Sequence, residues 1–226
     1  TLDGSQTHKL VLEGLFGTAE KVVSTKELID KKTLANLKIK CIVLKHPTKK
    51  ERMDYVEEMD YIVSRESRNK FILDLCKNIS GNTLCLFQLV EKHGKILHDG
   101  MKGGENVYFV YGGTDTEQRE KIRGLVEGHT KSTTIASYGT FSTGINIRNI
   151  NNIVLASPSK SKIRVLQSIG RGLRTSSTKD SILIFDIADD ISYGERRNFT
   201  LNHFFERINI YNEEQFNYEI SKVKIK

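Results

Sequence analysis

The sequence contains no tryptophan, only two prolines and only three cysteines in 226 residues. The cysteines, Cys41, Cys76 and Cys85, are odd in number, form no C-x-x-C pair and lie among apolar neighbours. This pattern excludes a disulfide framework and predicts reduced core residues. The six histidines are scattered without metal-ligand spacing, so neither a zinc site nor a nucleophilic triad is supported and we expect no metal site here.

Targeting and ATP-binding signals are also missing. The sequence shows no signal-peptide pattern and no apolar run long enough to cross a bilayer, so we expect a cytoplasmic protein without a membrane partner. Neither a G-x-x-x-x-G-K-S/T loop nor a D-E-x-H-like box occurs. Internal repeats, low-complexity segments and long Gly/Ser linkers are absent too, which favours one compact domain with a peripheral C-terminal extension.

The length and charge of the chain indicate a globular domain with a polyanionic partner. A chain of 226 residues can bury a self-sufficient core. The formal net charge is +7 and the isoelectric point is near 9.2. Lysine and arginine gain affinity for nucleic acid by releasing counterions from its phosphates, although an excess this modest also serves solubility alone.

Short apolar segments alternate with amphipathic ones along most of the chain, which predicts an α/β fold with a mainly parallel sheet covered on both faces. The predicted strands are 37–44, 83–87, 107–110, 133–136, 153–156 and 181–185. Ligands of such sheets bind beyond the carboxyl ends of the strands. Every candidate motif below follows a strand.

Helical patterns fill the intervals between these strands. We predict helices over 26–36, 59–79 and 196–210, with a loop over 46–60 leading into the second of them and a tail over 213–226. The aromatic and aliphatic stripe of 196–210 favours core packing over a base-stacking platform.

The most informative stretch is KSKIRVLQSIGRGLRT, residues 160–175. On a helix, Gln167, Arg171 and Arg174 share one face, which presents an amide and two guanidinium groups. Arginine is always charged and offers forked donors to phosphate oxygens, so this face suits charge that develops during phosphoryl transfer. A basic surface helix is the plain alternative.

Two further segments carry phosphate-binding character. In 137–146, the hydroxyls of Ser137, Thr140, Ser142 and Thr143 and the backbone N–H groups are candidates for contacting a nucleic-acid backbone; an ordinary loop capping a helix is the alternative.

After the strand at 107–110, Gly112 and Gly113 permit close backbone approach, and we expect Thr114 to cap the next helix. A tight turn alone would also explain these glycines. We expect His93 and His98 to be surface residues.

Four of these segments resemble, in order, motifs of the superfamily 2 helicases. Residues 160–175 resemble motif VI, 137–147 motif V, 109–120 the segment called IVa and 84–94 motif IV. In amino-acid sequence, these motifs are most similar to those of the UvsW-type helicases of T-even-like phages. The resemblance implies a RecA-like, P-loop NTPase-like C-terminal domain over 37–195, an inter-lobe connection and entry helix over 1–36, and a helical extension and tail over 196–226.

The resemblance also implies roles for the candidate residues. Arg171 and Arg174 would be arginine fingers on the γ-phosphate of ATP, and Gln167 would couple the nucleotide to the lobe interface. Gly144 and Asn146 would contact the nucleotide; many relatives carry Asp where Asn146 stands, so a role for Asn146 in organising Mg²⁺ is doubtful. Gly112, Gly113 and residues 137–146, called the hydroxyl segment below, would contact DNA.

The implied partners are ATP with Mg²⁺, held mainly by an N-terminal RecA-like lobe, and DNA. The DNA would be branched or duplex, with an RNA–DNA hybrid as a further candidate, and the setting would be phage recombination, replication-fork processing and repair. Two alternatives stay open: a non-catalytic nucleic-acid-binding module, and a duplex translocase that moves without separating strands.

Overall fold

A computed structural model of the chain describes residues 6–18, 25–31, 34–47, 53–143, 147, 149–158, 181–192 and 196–226. Within these residues, seven strands form one sheet in the order β3-β4-β2-β5-β6-β1-β7, and every pairing between neighbours is parallel. The strands are β1 Asn36–Lys45, β2 Asn82–Phe87, β3 Val107–Val110, β4 Ser132–Ser137, β5 Asn152–Leu155, β6 Ser181–Asp190 and β7 Tyr218–Lys224. The predicted parallel sheet is therefore confirmed.

Helices cover both faces of this sheet. They are α1 Gln6–Phe16, α2 Thr25–Asp30, α3 Tyr55–Ser64, α4 Glu66–Asn78, a π-helical turn Val90–Gly94, α5 Lys95–Gly100, α6 Thr116–Gly128, α7 Tyr138–Thr143 and α8 Phe199–Glu213. None of the helices in the described ranges is long and apolar enough to cross a membrane.

Alternate side chains of each strand enter two separate hydrophobic cores. In β2, Leu84 and Leu86 join the core that packs under α6 and α8, whereas Cys85 and Phe87 join the core under α4 and α5. Such near-continuous apolar strands are typical of a parallel sheet buried on both faces. The three cysteines are free and buried within these cores, as predicted.

The predicted single helix over 59–79 is wrong, because the structure contains two helices that meet at Arg65. The backbone of Arg65 is extended (φ −68°, ψ 113°), and its N–H donates to the Ile62 carbonyl to close α3. Helix α3 also begins earlier, inside the predicted loop: Asp54 accepts from the Glu57 N–H and the Glu57 carboxylate accepts from the Asp54 N–H, a capping box.

The C-terminal region also differs from the predicted tail. Residues 218–224 form β7, which pairs with β1 from Ile39↔Tyr218 to Lys45↔Lys224. The chain reverses after α8 through Gln215, which has a positive φ of 57°. The aromatic and aliphatic stripe of α8 packs into the core through Leu201, Phe204, Ile208 and Tyr211, which confirms the packing interpretation.

The first predicted helix, over 26–36, is shorter in the structure. Helix α2 ends at Asp30, and Asn36 already belongs to β1, where it pairs with Ser181 of β6. Strand β1 is buried along most of its length, so tertiary pairing outweighs the helical pattern at this junction.

Candidate functional site

The carboxyl edge of the sheet brings two of the predicted segments together. Strands β3 and β4 are parallel neighbours, and Val110 pairs with Ala136 at their carboxyl ends. The Gly112–Gly113 turn follows β3, and the hydroxyl segment that starts at Ser137 follows β4. Because neighbouring strands lie about 4.8 Å apart, the two segments are side by side at one edge.

The turn after β3 is held by its own polar groups. The Thr114 N–H donates to the Tyr111 carbonyl (3.0 Å), and the Tyr111 N–H donates to Thr114 Oγ1 (3.1 Å). Thr114 is therefore engaged within the turn, and the prediction that it caps the helix is wrong. The cap of α6 is Asp115, whose carboxylate accepts from the Gln118 N–H at 2.7 Å.

Arg119 fastens this turn from the first part of α6. Its Nη2 donates to the carbonyl oxygens of Gly112 (3.1 Å) and Tyr111 (3.4 Å). A Cβ on Gly113 would come within 2.6 Å of the Tyr111 ring, whereas one on Gly112 would meet nothing within 4 Å. A side chain at 113 would therefore displace the Tyr111 ring, whereas the exposed position 112 has room for one.

Residues 138–143 of the hydroxyl segment form the short helix α7. Ser137 Oγ and Thr140 Oγ1 are 2.8 Å apart, and the Thr140 N–H donates to Ser137 Oγ at 3.4 Å. Both residues are buried, with exposed fractions of 8% and 4%. This geometry fixes the first turn of α7, so these two hydroxyls orient the segment. The side chains of Ser142 and Thr143 lie outside the described part of the chain.

The remaining predicted site residues also lie outside the described ranges. These residues are Gly144, Asn146, Gln167, Arg171 and Arg174. The segment that carries the last three follows β5, between Pro158 and the start of β6. The carboxyl end of β5 lies at the same edge of the sheet as the ends of β2 and β4.

Beneath this edge lies a buried ion pair that the sequence analysis did not find. Arg68 donates to Asp189 through Nε (2.7 Å to Oδ1) and Nη2 (2.9 Å to Oδ2), and His46 Nε2 contacts the same carboxylate at 2.8 Å. Burial alone would raise the pKa of Asp189, but Arg68 and the hydrogen bonds from His46 and Arg68 lower it to about 2. The Asp189 carboxylate is therefore ionised in the folded protein.

His93 is fully buried in this region, so the prediction of a surface histidine is wrong. It lies in the π-helical turn after β2, where Gly94 packs so closely that a Cβ would meet the Phe87 ring at 2.5 Å. The pKa of His93 is lowered to about 3, mainly by burial and to a smaller extent by the positive charge of Arg68. The imidazole is neutral at physiological pH. His98 is half-buried and stacks on Phe109 at 4.9 Å.

A second buried ion pair fastens α8 to β6. Arg207 Nη2 donates to Asp186 Oδ1 at 2.7 Å, and the Tyr211 hydroxyl donates to Asp186 Oδ2 at 2.8 Å. Burial alone would lower the pKa of Arg207, but the Asp186 carboxylate raises it above its usual range. The aspartates within the apolar run 181–190 are the sequence signal that could have revealed both buried pairs.

The N-terminus of α8 is bound by a carboxylate from α3. Glu58 Oε2 accepts from the Phe199 N–H at 2.9 Å, and Glu58 Oε1 accepts from the Thr200 N–H and hydroxyl, both at 2.6 Å. Negative charge is stabilising at this end of a helix. The break at Arg65 allows α3 to reach α8 while α4 reaches β6.

Comparison with known proteins agrees with this fold. Residues 67–176 match the family described as the helicase conserved C-terminal domain. The ATP-dependent DNA helicase uvsW of Enterobacteria phage T4 is 35% identical over 230 residues, which cover 94% of this chain and 46% of that protein. The chain thus spans less than half the length of this relative.

Solved structures show the same architecture. The crystal structure of T4 UvsW aligns with a TM-score of 0.71 and 35% identity, covering 84% of this chain and 42% of that one. The C-terminal domain of the DEAD-box protein Dbp5 aligns with a TM-score of 0.56 at 14% identity, covering 86% and 92% respectively, which shows the shared fold alone.

These findings define the class of the domain: residues 67–176 match the helicase conserved C-terminal domain, and the parallel sheet has the RecA-like architecture of such domains. Within that class, the chain is similar to UvsW of phage T4. The family resemblance and the fold class predicted from the sequence are both confirmed.

Proposed function

We propose that the chain supplies the arginine-finger and DNA-contacting half of an ATP-dependent DNA helicase or translocase of the UvsW type. The observation that carries the proposal is the placement of the Gly112–Gly113 turn and the 137–143 segment side by side at the carboxyl edge of the sheet. Both segments lie inside the region that matches the helicase C-terminal domain family.

On the nucleotide side, Arg171 and Arg174 extend from this domain onto the γ-phosphate, and Gln167 relays the nucleotide state to the lobe interface. Gly144 and Asn146 contact the nucleotide. The described residues include no group of His, Cys, Asp or Glu that could hold a metal ion, and the sequence contains no phosphate loop. We therefore assign the phosphates and Mg²⁺ mainly to an N-terminal RecA-like lobe.

On the DNA side, the contacts are to the phosphate backbone and carry no sequence information. The exposed Gly112 and the backbone and hydroxyls of Ser142 and Thr143 contact phosphate, while Ser137 and Thr140 hold the segment in place. The DNA is branched or duplex, or an RNA–DNA hybrid, and the protein acts in recombination, fork processing and repair in the host cytoplasm.

We propose the following division of the chain: 1–36 connects the lobes, 37–195 is the RecA-like domain and 196–226 is an extension. The extension completes the sheet through β7 and covers one face through α8. Its removal would therefore expose β1 and part of the core.

The test compares this chain with the complete protein that contains it. The chain alone should hydrolyse no ATP above background, and the complete protein should hydrolyse ATP with DNA stimulation and unwind a branched duplex. Salt-dependent DNA binding without turnover by the complete protein would contradict the proposal and indicate a non-catalytic module. DNA-stimulated turnover with triplex displacement but no strand separation would indicate a duplex translocase.

A further inference from the structure

Ser157 connects three segments at the carboxyl edge of the sheet. Its Oγ accepts from the Gln88 N–H (3.1 Å) and lies 2.9 Å from His93 Nδ1, while its carbonyl accepts from the Tyr138 hydroxyl (3.1 Å). Ser157 is only 2% exposed. The three segments follow β2, β4 and β5, which are consecutive in the sheet, so these bonds continue the connection between the strands beyond their ends.

Ser157 and the three residues that contact it, Gln88, His93 and Tyr138, are called the Ser157 hub below. The proton positions in this hub follow from the neighbouring Arg68 guanidinium. Arg68 Nη1, which can only donate, lies 3.5 Å from His93 Nε2, so Nε2 is the acceptor and Nδ1 carries the proton. Ser157 Oγ therefore accepts from both His93 and Gln88. Because burial and Arg68 keep the imidazole neutral, this arrangement persists across physiological pH.

The hub is anchored on one side and leads to a functional segment on the other. Arg68 Nη2 donates to the Ala156 carbonyl at 2.7 Å while Arg68 is held by Asp189. Pro158 follows Ser157 directly, and a proline fixes its own φ and restricts the residue before it to extended conformations. The backbone at Ser157 and Pro158 is therefore conformationally restricted, directly before the chain leads to residues 160–175.

We infer that Ser157 is a positioning residue that couples DNA contact by the segment 137–143 to the arginines of the segment 160–175, through the Tyr138 hydroxyl on one side and Pro158 on the other. This inference rests on the proposed function. Tyr138 begins α7, so its hydroxyl joins the first residue of that helix directly to the Ser157 carbonyl. The contacts with His93 and Gln88 hold the Ser157 side chain in place.

The test is Tyr138→Phe in the complete protein, with Tyr108→Phe as the matched control. Each substitution removes one tyrosine hydroxyl, and the Tyr108 hydroxyl contacts His129 Nε2 at 2.9 Å near the opposite end of β3. The ratio of DNA-stimulated to basal ATPase rate should fall about fivefold or more in Tyr138→Phe, with the Kd for DNA within about twofold of wild type. Tyr108→Phe should keep the wild-type ratio.

A second variant, Ser157→Ala, removes the side-chain acceptor and should lower the same ratio, again without weakening DNA binding. An equal loss in Tyr108→Phe, a parallel loss of DNA affinity in Tyr138→Phe, or a wild-type ratio in both hub variants would overturn the coupling. A complete wild-type protein with no DNA-stimulated ATPase would instead overturn the proposed function, so the two failures are distinguishable.

Discussion

Arg68 and Asp189 form an ion pair with no exposed side-chain surface on either partner, at 2.7 Å from Nε to Oδ1. Replacing Arg68 by alanine leaves the Asp189 carboxylate buried without its guanidinium partner. We expect Arg68→Ala to lower the free energy of unfolding by about 3 to 5 kcal/mol. Urea unfolding followed by circular dichroism measures the change.

Arg123→Ala is the control for that substitution. Arg123 pairs with Glu120 and Glu127 on the exposed face of α6, where an ion pair contributes about 0 to 1 kcal/mol. A loss for Arg68→Ala no larger than that of Arg123→Ala would contradict the assignment of Arg68 as a buried structural cation.

His93 predicts a specific dependence of stability on pH. Its pKa is lowered from 6.5 to about 3 in the folded protein, so between these values the unfolded chain binds a proton that the folded protein does not. The free energy of unfolding contributed by His93 is thus fully present above pH 6.5 and falls as the pH drops, by up to about 1.4 kcal/mol per unit.

Urea unfolding of wild type and His93→Gln at several pH values from 7 to 4 tests this dependence. The variant should be less stable at pH 7, because it loses the contact with Ser157, and should show a flatter slope. Equal slopes in the two proteins would show that His93 is not the titrating group.

The buried pairs show where prediction from the sequence stops. The strands other than β7 are predicted because each is a short apolar run, and the motifs that follow them are predicted because phosphate chemistry needs recognisable residue types. The aspartates within 181–190 are a local signal for buried ion pairs, but Arg68, the partner of Asp189, is far away in the chain and cannot be identified from the local sequence.

The sequence did contain a local signal for the start of α3, but not for β7. The helix break at Arg65 involves neither glycine nor proline, but the Asp54 and Glu57 capping box marks the true start of α3. Strand β7 was hidden because its sequence, YEISKVK, interleaves lysines with apolar residues, as exposed edge strands do. Edge strands are stabilised by the neighbour they pair with, here β1, and this neighbour cannot be read locally.

The contacts of Arg119 with the Gly112 turn allow the contribution of that turn to DNA binding to be tested. Arg119→Ala releases the carbonyl oxygens of Tyr111 and Gly112, so the turn loses its fixed orientation. We expect DNA binding by the complete protein to weaken about fivefold relative to Arg123→Ala. Both variants remove one positive charge from α6, so the comparison isolates the turn; equal Kd values for the two, measured by fluorescence anisotropy, would contradict its role.

The hydroxyl segment predicts a loss of DNA affinity without a change of fold. Thr140→Ala combined with Thr143→Ala removes the hydroxyl bonded to Ser137 and a hydroxyl proposed to contact phosphate. We expect DNA affinity to fall about fivefold. Ser64→Ala, which removes a hydroxyl bonded to the Asp60 carbonyl on α3, is the control. Unchanged binding with an unchanged melting profile would exclude the segment from the DNA-contacting surface.

The proposed contact of Arg171 and Arg174 with the γ-phosphate is tested by the steady-state ATPase rate of the complete protein at saturating DNA. Arg171→Ala and Arg174→Ala should each lower that rate by about 10³ to 10⁵. The Lys variants should remain impaired because lysine lacks the forked donors, and DNA affinity should barely change. The opposite result would be wild-type turnover per bound complex with weaker DNA binding, and a plot of log binding constant against log salt concentration whose slope is smaller by about one. That result would show that these arginines contact DNA instead.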